Sequence, residues 1–441
     1  MTRFDEAVKS AIDVLQANIE KPLQSCHLVR DTTGVLVVVL PDSQLPEGSW
    51  TPLATKLNDA LGAYSPGVQR VLLSESDLVD ASEVIGASDR IRTDLPNVWI
   101  VDRMLTNQDW VRPPIRSAAR IPTVVAYSVK GGVGRSTCLA MGAWHLAKLG
   151  RDVMVIDLDL EAPGIGSMLL SDLPDVGLVD WLVEEMNGQG DADLLQRCIK
   201  DSELASGEVG RVRVLAAYGS DTKTYIAKLG RVYAPTIDKV GNVIGLAERL
   251  DQLLALIAGL AEPPEAVLID ARAGIHDIGS AAVTRLGAEV FLFARNDKQD
   301  WWAYEQIFEH LRTSGAVARG MGDETDLRWK LKMVAAQTLP SEDSRRAWIE
   351  SSYSTWTTFY DDEQSDYAAD FQPQVFALGD QEAPHYPLFV NFDLGVRSLS
   401  LKDVNAKPEW DYVRGVFNDF FEGLEGRLWP AEIGSQGKPT V

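Results

Sequence analysis

The chain has 441 residues, 45% of them hydrophobic, and 42 basic against 64 acidic side chains leave a formal net charge of −22. That length predicts two or three domains with ample packed core, and the charge opposes the counter-ion release by which proteins coat DNA. No apolar run approaches the roughly 18–20 residues that span a bilayer, and Met1-Thr2-Arg3-Phe4-Asp5-Glu6 lacks a signal-peptide layout, so a cytoplasmic location without membrane attachment is expected.

Residues 1–115 read as a small α+β module, a candidate interaction domain. Phe4, Val8, Ile12, Leu15 and Ile19 fall at helical spacing. Cys26–Arg30, the turn Thr32-Thr33-Gly34 and Val35–Leu40 read as a β-hairpin. A helix over about Trp50–Leu61 and strands at Val68–Leu73 and Val98–Val101 complete an α-β-β-α-β-β outline. The module shows no catalytic constellation, so binding or self-association is expected, with a structural extension of the following sheet as the alternative. Pro113-Pro114 and Arg116–Arg120 read as a linker into a second domain, residues 116–441.

That domain opens on the strongest signal in the chain, Lys130-Gly131-Gly132-Val133-Gly134-Arg135-Ser136-Thr137. It follows a β-branched run from Ile121 to Val129 and leads into helical periodicity at Leu139, Ala143, Leu146 and Leu149. Strand, glycine loop and helix N-terminus in that order make a phosphate site. Glycines let successive N–H groups point into one concavity, and the helix dipole adds positive potential there. Ser136 stands where a hydroxyl would ligand Mg²⁺. Lys130 opens the loop, and Arg135 replaces the lysine that ordinarily meets the β- and γ-phosphates. Arginine can neutralise phosphate bidentately, but it is longer and planar.

Residues 151–159 then form a buried strand with Asp157 and Asp159 at its carboxyl end. In an open α/β sheet that end faces the ligand. Helices are predicted at Leu178–Glu185, around Tyr225–Leu229 and at Leu246–Leu260, with a strand at Val212–Ala217. Ala266–Asp270 is a second apolar strand ending in a carboxylate, and Ala271-Arg272-Ala273-Gly274 after it reads as a glycine-hinged switch. His276 lies two residues beyond that glycine, where a structural or solvent-facing role is expected.

The strand Ala288–Ala294 empties into the polar, aromatic loop Arg295–Trp302, which should face nucleotide or a partner subunit. Its twin tryptophans could anchor an interface or pack the following helix, Trp302–Leu311. The densest basic stretch, Arg328-Trp329-Lys330-Leu331-Lys332, alternates like an edge or rim strand and continues as the strand Lys330–Ala336. Residues 341–382 are acidic and aromatic with weak periodicity and read as an insert, with Asp361-Asp362-Glu363 a solvated face. Trp410–Leu428 has the apolar stripe of a core helix, and residues 432–441 read as a frayed tail. The three cysteines, Cys26, Cys138 and Cys198, have no metal spacing and read as buried neutral residues.

From Ile121 to Leu428 the chain resembles the ParA/MinD family of deviant-Walker P-loop ATPases. The Lys-Gly-Gly-x-Gly-x-Ser-Thr loop, the Ile-Asp-Leu-Asp strand end and the later Leu-Ile-Asp carry the resemblance, in the family's order. It is similar within that family to the variants with Lys-Gly-Gly-Val-Gly-Arg and Asp-Leu-Asp-Leu-Glu-Ala-Pro-Gly, and residues 157–164 match the latter letter for letter. The resemblance implies an α/β fold, a mostly parallel sheet with helices on both faces, and ATP with Mg²⁺ as cofactors. It makes Lys130 the signature lysine that reaches across a two-fold axis to a partner's nucleotide, and Asp159 the residue that orients attacking water. Gly131, Gly132, Val133, Gly134, Arg135, Ser136 and Thr137 would hold the phosphates. Ser136, Asp157 and Asp270 would surround Mg²⁺, Gly274 would respond to the γ-phosphate, and Gln337 would read the base.

The favoured expectation is a slowly hydrolysing ATP switch. Nucleotide closes a homodimer and changes which protein partner is held by residues 1–115 or the acidic insert. The alternative is a non-hydrolysing, nucleotide-stabilised scaffold in a bacterial defence or stress complex, for which Arg135 argues. A ParA-type DNA partition protein ranks lower because of the charge.

Overall fold

The structure, a computed structural model, describes the chain apart from residues 88–89, 94, 113, 116–118, 239–240, 242, 314–325, 362–374, 399–400, 402–406 and 431–441. Part of the expected linker, much of the acidic insert, Asp362, Glu363 and the expected tail therefore lie outside the described residues. Contacts divide the chain into two units, Met1–Pro113 with a segment beginning at His310, and Pro114–Glu309 with the chain from residue 318 onward.

In the first unit, strands β1 (Cys26–Arg30), β2 (Leu36–Leu40), β3 (Leu72–Ser74), β4 (Ile91–Arg92) and β5 (Val98–Asp102) form one sheet in the order β3-β2-β1-β5-β4. The hairpin β1–β2 is antiparallel, as its turn residues predict, while β5 runs parallel to β1. Alternate residues Leu28, Leu36, Val38 and Leu40 meet Ala7, Ala11 and Leu15 of the helix Phe4–Asn18 and Leu53, Leu57 and Leu61 of the helix Trp50–Leu61 in one core. Two expectations need correction. The third strand starts at Leu72, not Val68, because Gly67 adopts φ +97° and opens a turn. The two-residue strand β4 is too short to announce itself by alternation.

The second unit is built on eight strands: β6 (Thr123–Ser128), β7 (Asp152–Leu158), β8 (Ile199–Asp201), β9 (Arg211–Leu215), β12 (Ala266–Ala271), β13 (Glu289–Ala294), β14 (Leu331–Thr338) and β15 (Leu388–Asn391). A separate two-stranded hairpin pairs β10 (Thr236–Ile237) with β11 (Val243–Ile244). The large sheet runs β15-β14-β13-β6-β12-β7-β9-β8, parallel throughout except for the edge strand β8. The central strands are buried at every position, which is why they read as unbroken apolar runs. On one face the helix Arg135–Lys148 packs against the helix Trp410–Leu428 in a common core. A Cβ at Gly142 would lie 2.8 Å from Leu424 Cδ2 and 3.2 Å from Phe420 Cε1, so the missing side chain admits the second helix. The fold is thus the expected α/β P-loop architecture. Among the described residues no helix is long and apolar enough to cross a membrane.

The stretch Arg328–Lys332 is not a rim. Leu327–Lys330 is one helical turn, β14 is flanked by β13 and β15, and both Arg328 and Lys332 are buried. Arg328 is satisfied by Asp326 at 2.7 Å and by Asp361 at 3.0 Å. Asp361 is therefore paired with a buried arginine and not part of a solvated face. The supposedly aperiodic insert begins with a 15-residue helix, Glu342–Trp356, whose N-cap Ser341 accepts from the Ser344 amide. Its buried face is Trp348, Ser352, Thr355 and Trp356, a mixture of polar and aromatic residues that gives little hydrophobic rhythm.

Candidate nucleotide site

The site lies where parallel strands end. β6 finishes at Ser128, and the loop beyond it places Gly132 at φ +72° and Gly134 at φ +95°, a region that strains side chains with a Cβ. Val133 is buried and anchors the loop in the core. Because Gly134 supplies the left-handed N-cap, the helix starts at Arg135, ahead of the apolar periodicity. Residues 132–137, with Ser128, Met168 and Gln337, line a cavity of about 470 Å³. Ser136 and Thr137 stand in the first helical turn, Thr137 half-buried and Ser136 partly so. Gln337, at the end of β14 with φ +54°, donates its Nε2 to the Gly132 carbonyl at 3.2 Å. It leans on the loop as well as lining the cavity.

Three carboxylates converge beside the loop. Asp157 and Asp270 are register partners on β7 and β12, each 1% exposed. Asp157 Oδ2 accepts the Gly166 amide at 3.1 Å, whereas its buried Oδ1 has no protein partner among the described residues. Burial, reinforced by repulsion from Asp270, raises the pKa of Asp157 to about 7. Burial also raises that of Asp159, against the pull of Arg135.

Arg135 sits among these carboxylates. Its Nε donates to Asp270 Oδ1 at 2.6 Å, its Nη1 to Ser128 Oγ at 2.9 Å and its Nη2 to Asp159 Oδ2 at 3.1 Å. Burial works against the guanidinium charge, but Asp270 and Asp159 more than offset it and raise its pKa. Lys130 turns the other way. Its Nζ donates to Asp297 Oδ2 at 2.8 Å, while Asp297 Oδ1 accepts the amides of Gln299 and Asp300. Burial opposes ionisation of Asp297, yet the Lys130 hydrogen bond and the backbone amides hold its carboxyl below the usual range.

The switch segment is tied to the same strand end. Gly274, at φ +99°, donates its amide to the Ser128 carbonyl at 2.9 Å and accepts the Tyr127 hydroxyl at 3.0 Å. Glu161 pairs with Arg272 at 2.5 Å, accepts the Tyr233 hydroxyl and lies 3.9 Å from His276 Nε2. The loops after β7 and β12 are therefore joined through one glutamate. Of the twin tryptophans, Trp301 packs edge-on against Trp348 at 4.9 Å, whereas Trp302 is 60% exposed.

Of the residues expected at the site, Gly132 to Thr137 and Gln337 line the cavity, whereas Lys130, Gly131, Asp157, Asp159 and Asp270 are not among its lining residues. Ser128, Glu161 and Asp297 were not singled out from sequence, although Ser128 is the one hydroxyl closing an apolar run and Asp297 lies in the loop expected to face the ligand. Among the described residues no group of three or more His, Cys, Asp or Glu has metal-holding geometry. The orphaned buried oxygen of Asp157, on the strand beside Asp270, is a donor fit for a magnesium ion whose shell is completed by water and phosphate oxygens.

A glycine loop between a buried parallel strand and a helix N-terminus, with carboxylates at the neighbouring strand ends, defines an α/β P-loop nucleotide-binding protein. The ParA family model, described as NUBPL iron-transfer P-loop NTPase, matches residues 121–177, and over that stretch the chain is similar to it. Among solved structures, the ParA family ATPase from Chlorobium tepidum TLS is 12% identical, covering 71% of this chain and 99% of its own with a TM-score of 0.41. An ATP complex of Cyanothece McdA, carrying one substitution of its own, is 14% identical, with 74% and 100% covered and a TM-score of 0.39. The pNOB8 ParA bound to nonspecific DNA is 16% identical, with 72% and 100% covered and a TM-score of 0.40. Among curated proteins none matches.

Proposed function

We propose that this protein is an ATP-binding, slowly hydrolysing switch that closes as a homodimer and thereby controls a protein partner. The observation that carries the reading is the convergence of the loop cavity and three carboxylates on one set of strand ends. The loop amides and the helix N-terminus bind polyphosphate. Ser136, Asp157 and Asp270 would hold Mg²⁺, which when bound neutralises phosphate charge. Asp159, at the rim of the cluster, positions a water for in-line attack, and Lys130 neutralises charge across a dimer interface. Chemistry of this kind is positioning and electrostatics, and the γ-phosphate is the differential ligand that favours one conformation. Residues 1–115 or the acidic insert at about 341–382 are the regions we assign to partner binding.

Light scattering of the full chain without nucleotide, with Mg–ADP and with Mg–ATP tests this. A monomer that doubles in mass only with ATP, and does not when Lys130→Ala is introduced, is the expected result. A mass indifferent to nucleotide would sink the reading. One observation favours the scaffold alternative: Asp159 is held by Arg135, which would slow any water-orienting role. Single-turnover phosphate release separates the two. The DNA-partition reading gains nothing from Arg328 and Lys332, since both are buried.

A further inference from the structure

Arg135 is the residue by which this loop departs from a lysine loop, and its three guanidinium nitrogens are all spent on protein oxygens: Asp270 at 2.6 Å, Ser128 at 2.9 Å and Asp159 at 3.1 Å. One of those acceptors, Asp270, is an expected ligand of the cation, and another, Asp159, is the carboxylate assigned to water. A lysine has one nitrogen and could not span the three acceptors in this planar arrangement. Arg135 is 7% exposed and Asp270 1%, so little water screens the pair. Asp157 is left outside this arrangement, with one oxygen unpartnered and no basic side chain on it among the described residues.

We propose that Arg135 is a resident counter-charge of the metal site: its guanidinium and a divalent cation are alternative partners of Asp270, with Asp159 held by the same guanidinium, so that metal enters tightly only with a polyphosphate that receives the guanidinium. Two adjacent ionised carboxylates need a cation, and the guanidinium supplies one through two charge-assisted hydrogen bonds. A divalent ion arriving alone must displace it and leave a buried cation unpaired, which is strongly unfavourable. A polyphosphate in the loop cavity offers the guanidinium an equivalent bidentate partner, since Arg135 also lines that cavity. Metal and nucleotide thereby become coupled ligands, and by linkage each tightens the other by the same factor. The same exchange frees Asp159, so the water-positioning carboxylate is released only when both are bound. The inference rests on the nucleotide reading for the identity of the polyphosphate, but the competition between guanidinium and metal does not.

The test is Mn²⁺ binding to the full-length protein, followed by the spin-resonance signal of the free ion, without nucleotide and then with ATP. Arg135→Gln should bind Mn²⁺ alone at least about ten-fold more tightly than the unmodified protein, since it removes a unit positive charge from beside the ligands. Added ATP should tighten Mn²⁺ binding strongly in the unmodified protein and much less in the variant. Arg135→Lys keeps the charge but not the fork, and an intermediate Mn²⁺ affinity is expected; it carries the test should Arg135→Gln not fold. Equal Mn²⁺ affinities in the absence of nucleotide would overturn the proposal. If the variants differ as expected while ATP binds to neither protein, the nucleotide reading fails and the counter-charge relation stands.

Discussion

Lys130 and Asp297, 167 positions apart in sequence, meet in a 2.8 Å ion pair. Asp297 does two things at once: one oxygen holds the lysine, and the other caps the helix Lys298–Thr313. If Lys130 acts across a dimer interface, this intramolecular pair competes with dimer closure. Asp297→Asn keeps a capping oxygen and removes the charge. It should lower the protein concentration at which Mg–ATP produces dimer by about three-fold or more, because an exposed pair of this kind is worth up to ~1 kcal/mol. Light scattering across a dilution series reads the effect, and an unchanged midpoint would show that the pair has no part in assembly.

Asp157 carries a folded-state pKa of about 7 against an ordinary 3.8. The folded chain therefore retains a proton that the unfolded chain has released, and stability falls as pH rises through that window and stays low above it. Asp157→Asn should remove this slope. Thermal denaturation in EDTA is expected to show the variant more stable by at least ~1–2 kcal/mol near pH 8 and little changed near pH 4. Equal stabilisation at both pH values would mean that ionisation is not the cause.

Arg249 is fully buried and donates to the carbonyls of Gly245, Val232 and Ala234. It fastens the end of the helix Tyr225–Val232 to the helix Leu246–Ala258. Arg249→Met fills similar volume but takes the side-chain donor from the Val232 and Ala234 carbonyls, at a cost of ~3 kcal/mol. Hydrogen exchange should accelerate first in residues 225–237. Acceleration spread evenly over the sheet would argue against a local clasp.

A Cβ on Gly177 would lie 2.3–2.5 Å from the backbone atoms of Tyr218. No side-chain movement relieves contact with main chain, so Gly177→Ala should destabilise the second unit by ~2–3 kcal/mol. Gly188→Ala is the control for backbone strain, because Gly188 has φ +74° and open space around it. Urea denaturation that ranks Gly177→Ala below Gly188→Ala confirms that the close approach dominates.

Strands and the glycine loop were legible because parallel strands buried on both faces are unbroken apolar runs, and because glycine spacing reports backbone geometry directly. The carboxylates were legible for the same reason, since strand ends fix where Asp157 and Asp270 lie. What escaped were contacts between distant segments. Nothing near Arg328 announces that Asp361 will neutralise it, so a buried arginine and its partner looked like a basic rim and a solvated acidic face. The orientation of Arg135 was equally hidden: position in the loop names its neighbours, but the choice between phosphate and carboxylate depends on side-chain reach. The helix Glu342–Trp356 was missed because it buries serine and threonine beside tryptophan, which leaves no hydrophobic period to find.

The register of Asp157 against Asp270 separates the placement of the two carboxylates from the length of chain between them. Their spacing is set by two neighbouring strands, whereas the helix Tyr225–Val232 is bound in by the Arg249 clasp and Tyr233 by Glu161, which leaves the hairpin β10–β11 as the part that can vary. Length can thus change at the tip of that hairpin while the strand register keeps both carboxylates in place.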